Sequence, residues 1–287
     1  MKGWLENRKM IYGILAVLLF CLLFCLTFRG RAEGLERQQV QIVTFGDSVF
    51  GETRDDTAVP AKLQAILGQS VYNAAMGGTC VARTLAERRM DYAKSSLSVV
   101  GLSKAVLADD YGVQQSLRVR ESNTEYFEEV IDGLERVDFS GVRTIVIQGG
   151  INDYHAGTLI EDPEDPYNEY TFLGAIRIAV NHFRKANPGV RILLVTPTYT
   201  WYIFTNLTCE ESDQGGGLLE DYVNAEIRVA EELGIEVVDV YHDFFPHEKW
   251  EDKDLYTRDG LHPNEKGREM LAQRIAEVLR EDGAGQG

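Results

Sequence analysis

Three segments of this chain constrain its fold more than any others: RTIVIQ at residues 143–148, RILLVT at 191–196 and IEVVDV at 235–240. Each is apolar or β-branched at nearly every position. A strand with one wet face alternates between apolar and polar residues, whereas a strand covered on both faces does not. These runs therefore need cover above and below a sheet. VQIVTF (40–45) and SVYNAA (70–75) read as two further strands. Helix-like stretches fall between and after them, near 58–67, 81–108, 122–137, 170–187, 216–233 and 264–281. In the last of these, Met270, Leu271, Ile275 and Leu279 recur at helical spacing. Strand and helix in alternation predict an α/β fold, with helices on both faces of a central, mostly parallel sheet of five strands. Hydrophobic residues make up 44% of the 287, enough for a sizeable core. No repeat and no second composition interrupts residues 40–287, so one domain is expected there.

The N-terminus has a different character. MIYGILAVLLFCLLFCLTF, residues 10–28, holds no charged residue. As a helix it would reach about 28 Å, close to the hydrocarbon thickness of a bilayer. Lys2, Arg8 and Lys9 precede it, and no small-residue cleavage pattern stands before Arg29. The expectation is an uncleaved anchor within residues 1–31, a linker over 32–39, and a body outside the cytoplasm at the cell membrane. Arg29, Arg31 and Arg37 on the far side weaken the charge asymmetry that would fix this orientation. The formal net charge is −16, although residues 1–31 carry five basic residues against Glu6 alone. A body this acidic repels phosphate backbones, so nucleic acid is excluded as an expected partner. Cys80 and Cys209 are the only cysteines beyond the apolar run. They either pair in an oxidising compartment or serve as two small core residues.

In an open parallel sheet the ligand crevice lies outside the carboxyl ends of the strands. The first strand ends in Gly46-Asp47-Ser48, the second in NAAMGGT with Gly77 and Gly78, and the third in GGIND (149–153). RDGLHPN (258–264) precedes the last helix. Each alone is explained by a turn. Together they put small, polar and ionisable residues on one sheet edge. A serine hydroxyl needs a base to become a nucleophile, and a histidine base needs a carboxylate to fix its tautomer. His262 has Asp259 three residues before it, with a glycine between them. His242 has Asp243 beside it, but neighbouring side chains diverge. Acyl transfer also needs donors for an oxyanion, which a backbone N–H at Gly78 and the amide of Asn152 offer. For Asn152-Asp153 a capped turn is the competing explanation.

Gly46-Asp47-Ser48, the glycine of NAAMGGT, Gly-x-Asn-Asp in GIND and Asp-x-x-His in DGLH occur in the order of the SGNH hydrolases, the GDSL-type esterases and lipases. The chain resembles that family over residues 43–264, with Val49 where members often carry Leu or Ile. The resemblance implies a flavodoxin-like three-layer α/β/α sandwich. It implies Ser48 as nucleophile, His262 as base and Asp259 as its orienting acid. Ser48, Gly78 and Asn152 would form the oxyanion hole, with Gly77 as the alternative glycine. It implies no metal and no cofactor, and the sequence has no phosphate-binding loop, GxGxxG or His-Glu-x-x-His. The implied substrates are acyl or acetyl esters, among them O-acetylated carbohydrate. An O-acyltransferase with the same residues and a non-catalytic glycan-binding protein are the alternatives. TYTWYIFTN (198–206) suits stacking on a sugar ring, packing on an acyl chain or plain lid packing. The oligomeric state is open.

Overall fold

The computed structural model describes residues 36–84 and 92–281. The apolar run at 10–28 lies outside them, as do residues 32–35 of the linker and residues 85–91 and 282–287. Among the described residues, no helix is long and apolar enough to cross a membrane.

The strands in chain order are β1 (Ile42–Phe45), β2 (Val71–Asn73), β3 (Thr144–Gln148), β4 (Arg191–Val195), β5 (Trp201–Tyr202), β6 (Leu207–Thr208) and β7 (Glu236–Val238). Five of them form one sheet in the order β2-β1-β3-β4-β7, with every neighbouring pair parallel. This is the flavodoxin-like order, and its switch point lies between β1 and β3. β5 and β6 make a separate antiparallel hairpin. The main helices are α1 (Ser48–Gly51), α2 (Val59–Leu67), α3 (Val99–Ala108), α4 (Phe127–Arg136), α5 (Ile151–Ala156), α6 (Phe172–Ala186), α7 (Leu219–Leu233) and α8 (Glu265–Glu281).

The unalternating strands are covered as their composition requires. Ile42, Val146, Leu193 and Val238 pack against Val59 and Leu63 of α2 and Leu271 and Ile275 of α8. Val43, Phe45, Ile145, Ile147 and Leu194 face the other way, onto a core shared with α3, α4, α6 and α7. Each such side chain removed wholly from water contributes about 1.5–3 kcal/mol. The result is a three-layer α/β/α sandwich. The two ends of the sheet differ. At the amino ends, Arg191 of β4 and Glu236 of β7 form a two-bonded ion pair, Nε to Oε2 and Nη2 to Oε1, both 2.5 Å. At the carboxyl ends, polar loops take over.

Several elements differ from the sequence expectation. The helix expected over 81–108 begins only at Val99. Before it, the N–H groups of Val81 and Ala82 are taken by the Asp153 carboxylate, and those of Val99 and Val100 by the Cys80 and Val81 carbonyls. The Cys80 carbonyl thus accepts from Val99 rather than from Thr84, whose own N–H goes to Ser95 Oγ, so no helical turn forms there. The short helices α1 and α5 and the β5–β6 hairpin are not anticipated by the sequence. Cys80 and Cys209 are both free and buried, so the core-residue alternative holds. Burial pushes both thiols up, Cys209 to about 11.

Candidate active site

The turn after β1 is built by its own residues. Asp47 caps α1, its Oδ1 accepting the Val49 N–H at 2.9 Å. Gln148, at the end of β3, donates to its other oxygen at 3.3 Å. Gly46 is where the two strand ends converge: a Cβ there would stand 2.4 Å from the Gln148 carbonyl oxygen. Asp47 is fully buried, and burial lifts its carboxyl to about 6 despite these hydrogen bonds. Ser48 is the first residue of α1 and is half-buried.

The 257–262 loop brings the remaining partners. Asp259 uses both oxygens. Oδ1 accepts the N–H groups of Leu261 (3.1 Å) and His262 (2.8 Å), and Oδ2 lies 2.7 Å from His262 Nδ1. Burial raises the Asp259 carboxyl, but the hydrogen bonds from His262 outweigh it, and the net shift is downward. His262 Nε2 then sits 3.0 Å from Ser48 Oγ. Gly260 permits this loop: its φ is +89°, and a Cβ would meet the Trp201 carbonyl at 2.2 Å. The Trp201 N–H also donates to the Gly260 carbonyl at 2.8 Å, fastening the hairpin beside the histidine.

α5 and the loop after β2 complete the arrangement. Asn152 Nδ2 donates to the Thr79 carbonyl at 2.9 Å, which leaves its second amide proton. Asp153 is fully buried, and burial raises it to about 7. Its two hydrogen bonds to Val81 and Ala82, together with that of Asn152, hold residues 79–82 against α5. The turn at Gly77 runs close to Ser48, with 4.0 Å between a Cβ built at Gly77 and Ser48 Cβ. Among the described residues, the N–H groups of Ser48 and Gly78 have no hydrogen-bond acceptor. The sequence-derived residues thus occupy the three loops after β1, β2 and β3 and the loop before α8. A metal-binding group of three or more His, Cys, Asp or Glu is absent among the described residues.

Further residues belong to this edge: His155, Gln214 and Glu52, which no sequence expectation named, and the aromatic residues of TYTWYIFTN, which one did. His155, three positions after Asn152 on α5, bonds the Tyr202 hydroxyl through Nε2 at 2.9 Å. Burial, aided by the charge of His262, pushes it down to about 4, so it is neutral at physiological pH. A cavity of about 470 Å³ adjoins Asp259 and Leu261, walled by His155, Trp201, Tyr202, Phe204 and Gln214. Phe204 is 98% exposed at the hairpin tip. Glu52 lies 3.7 Å from His262 Nε2.

The other histidines have different partners. His242 pairs with Asp239, not Asp243. Asp239 Oδ2 lies 2.7 Å from its Nδ1, and Oδ1 accepts the N–H groups of Tyr241 and His242. His182 Nδ1 is 3.0 Å from Ser103 Oγ, but that hydroxyl is buried and donates to the Val100 carbonyl at 2.8 Å. His247 stacks on Tyr199 and bonds the Phe245 carbonyl.

The profile of the family described as GDSL-like Lipase/Acylhydrolase matches residues 43–270. A GDSL esterase/lipase of Arabidopsis thaliana is 26% identical over 149 residues, 49% of this chain and 60% of that protein. The chain therefore matches less than two thirds of that relative's length. The crystal structure of a possible lipase from Chitinophaga pinensis is similar at a TM-score of 0.53 and 20% identity, over 85% of this chain and 99% of that one. That of a protein from Lactobacillus plantarum is similar at a TM-score of 0.56 and 16% identity, over 85% and 98%. At such identities the likeness is one of fold.

Proposed function

The chain belongs to the GDSL-like lipase/acylhydrolase family, and from that membership we propose a serine esterase that cleaves carboxylic esters through an acyl-serine at Ser48. One observation carries the reading: the unbroken relay of Ser48 Oγ, His262 Nε2 at 3.0 Å, and Asp259 Oδ2 at 2.7 Å from Nδ1. His262 accepts the serine proton as Oγ attacks the ester carbonyl. It then donates that proton to the departing alkoxide, leaving the acyl group on Ser48. Water, deprotonated by the same nitrogen, releases the acid. Asp259 holds the Nδ1–H tautomer and stabilises the imidazolium. The N–H groups of Ser48 and Gly78 and the second amide proton of Asn152 receive the negative charge that develops on the carbonyl oxygen.

The substrate in this proposal is a short acyl ester, with O-acetylated carbohydrate favoured. The cavity beside Asp259 mixes aromatic faces, Tyr202 and Phe204, with hydrogen-bonding groups such as Gln214. That mixture suits a sugar ring, apolar on its faces and polar at its rim, better than an unbroken alkyl chain. The uncharged run at 10–28 supports an anchor that keeps the catalytic body at the outer surface of the cell membrane. A serine-directed phosphonate should label the peptide that contains Ser48, and acetate should be released from O-acetylated oligosaccharide faster than palmitate from its nitrophenyl ester. Label on another serine overturns the mechanism; the reverse preference overturns the substrate. Protein extracted from membranes should have an intact mass that begins at residue 1 or 2, and a mature form starting near residue 30 overturns the anchor.

A further inference from the structure

Ser48 and Glu52 are the two ends of one helical turn: the Glu52 N–H donates to the Ser48 carbonyl at 3.0 Å. Residues four apart on a helix share a face, so the Glu52 carboxylate is carried toward whatever faces Ser48. Its Oε2 lies 3.7 Å from His262 Nε2 and accepts a hydrogen bond from Arg258 Nη2 at 2.5 Å. Arg258 is itself fixed to the histidine loop, its N–H donating to the His262 carbonyl at 2.9 Å. Two loops 206 residues apart are thus joined by one ion pair at the side of His262 opposite Asp259. Glu52 and Arg258 are each a little under half exposed, and His262 less so.

We propose that Glu52 and Arg258 are positioning residues of opposite electrostatic sign, setting how readily His262 takes the proton of Ser48. The inference rests on the esterase mechanism above. In that mechanism an imidazolium forms at the moment of attack. Glu52 sits too far from Nε2 for a strong hydrogen bond but close enough for its charge to favour the protonated ring. Arg258 holds that carboxylate in place and cancels part of its field. The charged and titratable groups around the ring are Asp259 at Nδ1, Glu52 and Arg258 beside Nε2, and His155 and buried Asp47 further in.

A plain strap and an electrostatic pair make different predictions. Cutting a strap at either end frees the same bond and has the same consequence. Removing opposite charges has opposite consequences. In a pH profile of kcat/KM with a neutral ester, Glu52→Gln should move the acid limb down by about half a pH unit, because the imidazolium loses a stabilising anion. Arg258→Gln should move it up by a similar amount, and the double variant should return near the wild-type position. Arg258→Lys keeps the charge and should keep the wild-type limb. Salt at about 0.5 M should shrink both shifts. Limbs that stay fixed, or move in one direction for both single variants, overturn the proposal. Ser48→Ala measured alongside separates the two readings. An active Ser48→Ala enzyme means the mechanism itself has failed, whereas an inactive one with unmoved limbs means only this inference has. Should a glutamine variant fail to fold, Glu52→Ala and Arg258→Ala carry the same test: limbs that move in opposite directions support the pair, and limbs that stay fixed or move together overturn it.

Discussion

The molecule contains the same local device twice. In Asp239-Val-Tyr-His242 and in Asp259-Gly-Leu-His262, one carboxylate oxygen accepts two successive backbone N–H groups and the other binds the histidine Nδ1 at 2.7 Å. Their tautomers and ring orientations are fixed in the same way. They part at Nε2: that of His262 meets Ser48 Oγ at 3.0 Å, that of His242 meets Glu220 at 3.5 Å. The Glu220 carboxylate at His242 Nε2 favours the charged ring, whereas the Ser48 hydroxyl can give up a proton to His262; Glu52, at 3.7 Å from His262 Nε2, stands further off than either. An Asp-x-x-His turn is therefore a way of aiming an imidazole. What lies in the line of aim decides its chemistry, and that is supplied by a loop far away in sequence. Ser103 and His182 present the complementary half, a serine–histidine contact in which, among the described residues, no carboxylate is hydrogen-bonded to the ring and the hydroxyl is already committed to a carbonyl.

The strongest way to break the contrast is to remove the group that differs. Ser48→Ala should reduce kcat for a nitrophenyl ester by roughly 10⁴-fold or more, while Ser103→Ala changes it by less than about twofold and the thermal midpoint of the Ser48 variant stays near wild type. Comparable losses from both serines would mean the site has been misassigned. One step weaker is the carboxylate swap. Asp259→Asn should cost about 10³- to 10⁴-fold in kcat, because the amide favours the wrong tautomer. Asp239→Asn, the same change in the same turn, should leave turnover within about twofold. Parallel kcat measurements that gave similar losses would erase the distinction between the two turns.

How much of this was legible in sequence follows from what is local. The covered strands could be read because burial on both faces is written in every residue of TIVIQ and RILLV. The Asp259–His262 pair could be read because its geometry closes within four residues. Asp239–His242 has identical spacing, yet the adjacent Asp243 draws attention away from it. The false start of α3 was not legible, because the groups that capture residues 81 and 82 come from Asp153, over seventy positions on. α5 is six residues long, and Asn-Asp at its start reads equally well as a turn. Had that helix been recognised, the spacing of three from Asn152 would have pointed to His155. Glu52 required the same knowledge of α1. The fate of the two cysteines depends on distances across the sheet edge, which no spacing encodes.

A middle-sized effect tests whether the loops after β2 and β3 belong with the catalytic turn. Asn152→Ala removes one oxyanion donor and should lower kcat by roughly 100- to 1000-fold with KM little changed. The same substitution also releases the Thr79 carbonyl, so a loss of stability is to be separated from it. Asn152→Asp retains an oxygen-bearing side chain of the same shape but offers no amide proton when ionised, and should be as inactive as the alanine variant. Activity retained in Asn152→Asp at neutral pH would remove Asn152 from the oxyanion hole and leave it as the clamp on residues 79–82.

The smallest expected effect concerns the turn that does no chemistry. Burial pulls the His242 ring downward, but hydrogen bonds and charge from Asp239 and Glu220 outweigh it and hold its pKa above the ordinary value. A histidine raised in the folded state stabilises the protein fully below its unfolded pKa, near 6.5, and that contribution is lost as pH rises through the higher folded value. His242→Gln should therefore lower the thermal midpoint at pH 5.5 relative to wild type, with the difference shrinking toward pH 9. The side chain is 36% exposed, so solvent screens the pair, and the pH-dependent part should stay under about 1 kcal/mol, a few degrees at most. Turnover should be unaffected throughout. A midpoint difference that is flat across this range would mean His242 contributes by packing alone. A difference that grows with pH would mean the ring is held neutral, and the two Asp-x-x-His turns would then differ in protonation as well as in what they face.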